Sequence, residues 1–228
     1  MSFTAVLFDV DGTLCEHADS AAAVYRGAFE AAGIDRFGEP AGLWSALEEP
    51  PDHDDPVGYF ARGFARVAAQ HGRTPVDATA LAEGFLETVD YSDVTPRPGA
   101  TTAVEAAANA GTVGVVTNGP TSRQTGKLEA LPFGDAFDAV VCAGDRRRQK
   151  PNRDPFDRAL GALGVRPEEA LYVGNSLEYD VAGAQNAGLA VAWCPTDGDC
   201  DPAPYRPDYV FESLGELRGV LDDEGADG

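Results

Sequence analysis

From Thr102 onward the chain repeats one pattern: a stretch with helical spacing, then a short apolar run. The runs are TVGVV at Thr112–Val116, AVVC at Ala139–Cys142, ALYV at Ala170–Val173 and LAVAW at Leu189–Trp193, with a last short strand at Tyr209–Phe211. Helices are expected over Thr102–Ala110, Arg123–Ala130, Pro155–Leu163, Val181–Ala187 and Leu214–Leu221. Strands that are apolar throughout must be covered on both faces. Strands joined through helices run parallel. One more apolar run, Val6–Phe8, opens the chain and supplies a further strand. The tail, Asp222–Gly228, is expected to fray.

The expected fold class is therefore α/β: a Rossmann-like parallel sheet with helices on both faces. Between the first strand and Pro98 the pattern changes. Asp19–Gly33, Leu43–Leu47, Val57–Gln70 and Ala80–Val89 carry helical spacing, Pro and Asp cluster at Glu49–Pro56, and no strand is expected between Cys15 and Pro98. This stretch reads as an inserted α-helical cap over 16–96, dividing a core made of 1–15 and 97–228. The 228 residues suit such an arrangement.

Ligands of a parallel sheet gather at the carboxyl ends of its strands. The first strand ends in Asp9, Val10, Asp11 and Gly12. Residues i and i+2 of an extended chain point to one side. Two carboxylates so placed repel unless a cation stands by them or one keeps a proton. The second strand ends in Thr117, Asn118 and Gly119, and the third leads through a loop to Lys150 and Pro151. The fourth ends in Gly174, Asn175 and Ser176, followed by Glu178 and Asp180. Taken singly, Thr117 reads as a helix N-cap, Lys150 as a surface lysine and Gly174–Ser176 as a turn. Taken together they make a coherent set. Carboxylates can hold a hard cation, a hydroxyl and amides at a strand-to-helix turn can cradle an anion, and a lysine adds a point charge.

In this order the residues resemble the haloacid dehalogenase superfamily. That family opens with Asp-x-Asp-Gly-Thr, continues with a Ser or Thr and then a Lys, often Lys-Pro, and ends on an acidic Gly-Asp-Ser-like motif. The resemblance runs from about Phe3 to Phe211 and extends to the helical insertion. It implies a Mg²⁺-dependent phosphatase acting on a small phosphorylated metabolite. Asp9 would be the nucleophile that becomes an aspartyl-phosphate, and Asp11 the acid and base. Thr117, Asn118, Gly119 and Lys150 would hold the phosphate, with Lys150 offsetting the negative charge gathered there. The metal would sit at Asp9, Asp11, Asn175 and Asp180, the last through water. The chain departs from the family at Asn175, where an Asp is usual; an amide oxygen ligates without a formal charge. Neighbouring readings are a 2-haloacid dehalogenase, which lacks the second Asp, so that Asp11 argues against it, and a phosphosugar mutase, against which Thr13 tilts. A reading of another class is a non-catalytic phosphometabolite-binding protein, which the retention of Asp9, Asp11, Thr117 and Lys150 opposes. Residues of the insertion that could choose the substrate are Glu16, His17, His53, Tyr59, Arg62 and Arg66.

Composition narrows the partners. The formal net charge is -21, from 38 acidic against 17 basic residues. The acids are scattered, and the one basic run, Arg146–Arg148, is too short for a nucleic-acid stripe, so no nucleic-acid partner is expected. No apolar run is long enough for a membrane span. Cys15, Cys142, Cys194 and Cys200 form no CxxC pair and no zinc pattern, which suggests a cytoplasmic set of reduced thiols. Oligomeric state is not legible. Lysine occurs only at Lys127 and Lys150. An acidic, lysine-poor, alanine-rich chain resembles proteins of salt-loving organisms, whose self-repulsion is screened by salt. The melting temperature is therefore expected to rise from low to molar KCl; a flat or falling trend would contradict a halophilic setting.

Overall fold

The computed structural model describes residues 3–18, 20–47, 55–196 and 201–226, the last four by backbone alone. By compactness the chain divides into two units, residues 1–16 with 94–228, and residues 17–93.

The larger unit is built on six strands: β1 (Ala5–Phe8), β4 (Thr112–Thr117), β5 (Ala139–Cys142), β6 (Ala170–Gly174), β7 (Ala190–Trp193) and β8 (Tyr209–Val210). They pair in the order β5-β4-β1-β6-β7-β8, every pair parallel. The order reverses at β1. The chain moves outward through β4 and β5, then returns to the other side of β1 for β6, β7 and β8. Such a reversal opens a crevice at the carboxyl ends of the central strands. Register sharpens this. Phe8 lies opposite Val115 on one side and Val173 on the other. The segment after Phe8 thus emerges between the ends of β4 and β6.

Strand periodicity sorts the side chains into two cores. Val6, Phe8, Val113, Val115, Leu171 and Val173 face one way, against Ala103, Val104 and Ala107 of α5 (Ala100–Ala110) and Leu217 of α9 (Leu217–Ala226). Ala5, Leu7, Val116, Tyr172, Val191 and Trp193 face the other way, against Phe156 and Leu160 of α7 (Asp154–Leu163) and Ala184 of α8 (Ala182–Ala187). This alternation is why β1 must be apolar at every position. The remaining helix, α6 (Thr121–Ala130), follows β4.

The smaller unit holds four helices, α1 (Ala21–Ala32), α2 (Pro40–Ala46), α3 (Pro56–Gln70) and α4 (Ala78–Thr88). Ser20 and Asp55 accept from backbone amides at the starts of α1 and α3. Its core is aromatic: Tyr25, Phe29, Phe37, Phe60, Phe64 and Phe85 are buried together, with ring centroids of Phe60 and Phe85 4.5 Å apart. The Tyr25 hydroxyl donates to the Phe37 carbonyl at 3.0 Å, so its polar tip is satisfied.

Two expectations are corrected. The stretch expected to lack strands carries a short ribbon, β2 (Cys15–His17) paired with β3 (Val94–Pro96). Three residues are too few to show a period, and most of these side chains are exposed, so no apolar signal marks them. The tail also continues as helix to Ala226 instead of fraying from Asp222. Among the described residues no helix is long and apolar enough to cross a membrane.

Candidate active site

The site is assembled at the carboxyl ends of β1, β4 and β6. Its centre is Lys150, buried in the loop between β5 and α7. Lys150 Nζ donates to Asp9 Oδ1 and to Asp180 Oδ1, both at 2.7 Å, to the Tyr172 hydroxyl at 2.9 Å and to the Val116 carbonyl at 3.0 Å. A buried ammonium needs such an enclosure, because its charge has left water behind. Two carboxylates overcome the cost of burial and hold the Lys150 ammonium above its ordinary range. Asp9 sits in the opposite balance. Burial pushes its carboxyl up to about 7, against the pull of Lys150 and with the help of the neighbouring Asp180 charge. Burial and the same two carboxylates also push the Tyr172 phenol well up, which keeps it a neutral donor.

The Lys150 loop is pinned from β4. The Asn118 side chain donates to the Lys150 carbonyl at 3.0 Å and accepts from the Lys150 amide at 2.8 Å. Asn118 thus pairs with the Lys150 backbone as a neighbouring strand would. Thr117, buried at the end of β4, accepts from the Gly119 amide at 3.1 Å through its hydroxyl. The amide expected to face a phosphate is therefore committed to Thr117. The bond leaves the hydroxyl's own hydrogen to be donated elsewhere.

Asp180 joins the same cluster from the turn after β6. It is 1% exposed. One oxygen accepts from Lys150 and Tyr172, and the other from the Ser176 amide at 2.9 Å. The turn that does this is wide. The amides of Asp180 and Val181 both reach back to the Ser176 carbonyl, at 2.9 and 3.1 Å. Both Asp180 oxygens accept hydrogen bonds within the protein, and the carboxylate anchors Lys150.

The Asp9 and Asp11 carboxylates pair with different lysines. Asp11 pairs with Lys127 of α6, and Gln124 Nε2 of the same helix donates to Asp11 Oδ2 at 2.7 Å. Each carboxylate of the Asp-x-Asp pair thus has its own lysine, and the chain has no others. Gly12 makes the turn that follows, at φ 75°, and a Cβ there would lie 2.7 Å from Asn175 Nδ2. Arg97 donates to the Gly12 carbonyl and, at 3.1 Å, to the Pro195 carbonyl, tying two loops together.

Hard oxygen donors converge beside Asp9. The Thr13 hydroxyl lies 3.3 Å from Asp9 Oδ2 and 3.1 Å from Asn175 Oδ1, so one hydroxyl spans both. The Trp193 indole donates to the Asn175 carbonyl at 2.8 Å and fixes that residue's backbone. Among the described residues no group of three or more His, Cys, Asp or Glu could hold a metal. The set here is of another kind, mixing a carboxylate and a side-chain amide oxygen. That chemistry fits a hard divalent cation such as Mg²⁺.

The sequence residues brought together are Asp9, Asp11, Thr117, Asn118, Lys150, Asn175 and Asp180. Thr13, Arg97, Gln124, Lys127 and Tyr172 join them without having been expected as site residues. The scarcity of lysine was the signal for Lys127 and the Asp-x-Asp-Gly-Thr motif the signal for Thr13; Arg97, Gln124 and Tyr172 carried none. Of the substrate-choosing candidates, Tyr59 is buried in the aromatic core of the smaller unit and Arg66 donates to the Ala46 carbonyl at 2.5 Å. Arg62 is exposed, the His17 ring lies 6.0 Å from Tyr91, and His53 lies outside the described residues.

A Rossmann-like sheet with a charged carboxylate–lysine centre at its switch point defines the class, a hydrolase of the α/β kind. The chain belongs to the haloacid dehalogenase-like hydrolase family, which residues 3–188 match. It is 32% identical over 174 residues to pyrimidine 5'-nucleotidase YjjG of Escherichia coli (strain K12), covering 72% of this chain and 76% of that protein. It is 37% identical over 116 residues to pyrophosphatase PpaX of Bacillus cereus (strain AH820), covering 49% of this chain and about half, 52%, of that protein. Among solved structures, the magnesium-bound HAD-hydrolase YfnB of Bacillus subtilis shares the fold, with a TM-score of 0.77 at 24% identity over 97% of this chain and 100% of that one.

The Asp9 environment has a consequence for stability. A folded-state value of about 7 against an ordinary 3.8 means that the native state favours the protonated carboxyl. The contribution is fully present below the ordinary value and is lost as pH rises through about 7. In metal-free protein, the melting temperature of Asp9→Asn relative to the parent should therefore climb between about pH 4 and about pH 7 and level off above it. A difference that stays constant over that range would count against the assignment.

Proposed function

We propose that the chain is a Mg²⁺-dependent phosphatase that releases inorganic phosphate from a small phosphorylated metabolite by way of an aspartyl-phosphate on Asp9. The observation that carries this reading is the buried Lys150–Asp9 contact, a carboxylate at the end of the central strand held against a fixed cation. A nucleophilic carboxylate needs a cation nearby to accept an anionic phosphoryl group, since two anions otherwise repel.

In the first step an Asp9 oxygen bonds to phosphorus, the bond from phosphorus to the leaving oxygen breaks, and a protonated Asp11 gives its proton to that oxygen. In the second step Asp11, now ionised, takes a proton from water as the water oxygen bonds to phosphorus. The bond between phosphorus and Asp9 breaks, and inorganic phosphate leaves with Asp9 restored. Thr117 donates its hydroxyl hydrogen to a phosphate oxygen, Gly119 steadies Thr117, and Asn118 holds the Lys150 loop. Asp180 and Tyr172 keep Lys150 charged and in place. The Asp9 carboxylate, the Asp11 main-chain carbonyl and the Asn175 amide oxygen would hold Mg²⁺, which supplies positive charge at the carboxylate and phosphate. The relatives' names, a nucleotidase and a pyrophosphatase, support a small phosphorylated substrate without choosing one.

The test is phosphate release from p-nitrophenyl phosphate and a panel of phosphometabolites in molar KCl, with and without Mg²⁺. Mg²⁺-dependent turnover is expected in the parent, and a loss on the order of a thousandfold or more in folded Asp9→Asn. Parent-like turnover in that variant would sink the mechanism. Asn175→Asp adds a charge at the cation site and should bring activity to saturation at lower Mg²⁺. Superimposable Mg²⁺ titrations of that variant and the parent would remove Asn175 from the metal.

A further inference from the structure

We propose that Gln124 and Lys127 are positioning residues that hold the Asp11 carboxylate in the orientation needed for proton transfer; the inference rests on the phosphatase reading above.

Four observations converge on this pair. First, the two residues sit three apart on α6, so they share a face of that helix, and both reach the same carboxylate, one oxygen each. Second, the burial is one-sided. The Lys127 side chain is 5% exposed, whereas that of Asp11 is 48% exposed. An accessible carboxylate is well solvated without help, so Asp11 does not need these partners for its charge. Two buried side chains directed at an accessible one fix its direction.

Third, Gln124 is 1% exposed, and its Oε1 is buried without a hydrogen-bond partner. Leaving such an oxygen unmet is costly. A leucine of similar size would avoid that cost, so the bond from Nε2 to Asp11 is what the glutamine supplies. The carboxylate also settles the orientation of the amide, because only the nitrogen end can donate to it.

Fourth, Gly119 makes room for it. Its backbone is not in the left-handed region, so no conformational demand calls for glycine there. A Cβ at that position would lie 1.9 Å from Gln124 Nε2. The missing side chain of the turn after β4 is the space through which Gln124 reaches Asp11.

Rotation about the Asp11 side chain would carry its oxygens away from the leaving group and the attacking water, and two donors on two oxygens stop that rotation. The consequence falls on reactions that need proton transfer. With Asp11 misdirected, an alkyl phosphomonoester, whose leaving oxygen must be protonated, should suffer more than p-nitrophenyl phosphate, whose leaving group departs as the anion.

The experiment measures kcat on both substrates for the parent, Lys127→Met, Lys127→Arg and Gln124→Leu, each checked for a cooperative melt. Lys127→Met is expected to lose roughly 10- to 100-fold on the alkyl ester and clearly less on p-nitrophenyl phosphate. Gln124→Leu should show the same split at smaller size, and Lys127→Arg should recover most of the loss. In an Asp11→Asn background the Lys127 and Gln124 substitutions should produce no split, because the group they position is gone. Equal losses on the two substrates, an unchanged kcat on the alkyl ester, or a split that persists without Asp11 would each overturn the proposal. Should Lys127→Met fail to fold, Gln124→Leu, which removes a bond and an unmet oxygen together, decides it alone by the same criteria. A parent protein that hydrolyses neither substrate would overturn the phosphatase reading itself, an outcome distinct from an active parent with indifferent variants.

Discussion

The buried ammonium of Lys150 is the contact on which the rest of the larger unit depends. A lysine side chain loses its hydration in this interior, and each partner that replaces water must come from a different part of the fold. Asp9 is delivered by β1, the Val116 carbonyl by β4, Tyr172 by β6 and Asp180 by the wide turn after β6. These elements are adjacent only because β1 lies between β4 and β6. Removing Lys150 would leave two buried carboxylates facing one another, and removing either carboxylate would leave the other with the lysine. The asymmetry makes Lys150 the keystone; burial, with the Asp180 charge adding to it, still raises the Asp9 carboxyl although an ion pair holds it.

The second carboxylate is handled by different means. Asp11 lies one residue past the strand's last apolar neighbour, close enough to water to remain solvated, and α6 supplies its partners from the side. Separate cations for Asp9 and Asp11 relieve the repulsion that their i, i+2 spacing creates. The two carboxylates thereby come to occupy unlike surroundings, one dry and one wet. Surroundings that differ in this way are what allow two identical groups to take up different chemical tasks.

The two units are stabilised by unlike cores. The larger one buries its strands on two faces, with mostly aliphatic side chains, whereas the smaller one interlocks aromatic rings among four helices. Tyr59 and Arg66 show how residues of the insertion enter its packing. A tyrosine at helical spacing from other aromatics is drawn into the ring cluster, and the arginine caps a carbonyl at the end of a neighbouring helix.

Much of the fold was legible without coordinates. Five helices and the strands of the larger unit announce themselves through apolar runs and helical spacing, because a sheet covered on both faces demands apolar residues at every strand position. The strand-end residues Asp9, Asp11, Thr117, Lys150 and Asn175 were legible for a related reason: parallel topology puts all strand ends on one edge. The β2–β3 ribbon was not, since of its two three-residue strands only Cys15 is buried, and one buried residue leaves no pattern. Nor could the partners be assigned. Asp180 turns inward to Lys150 because a wide turn follows Ser176, and Gly119 spends its amide on Thr117. Lys127 and Gln124 reach Asp11 from more than a hundred residues away in sequence. Periodicity and topology depend on neighbours along the chain and are written in it. Which donor meets which acceptor depends on side-chain packing across strands and helices, and that was decided only when the tertiary structure closed.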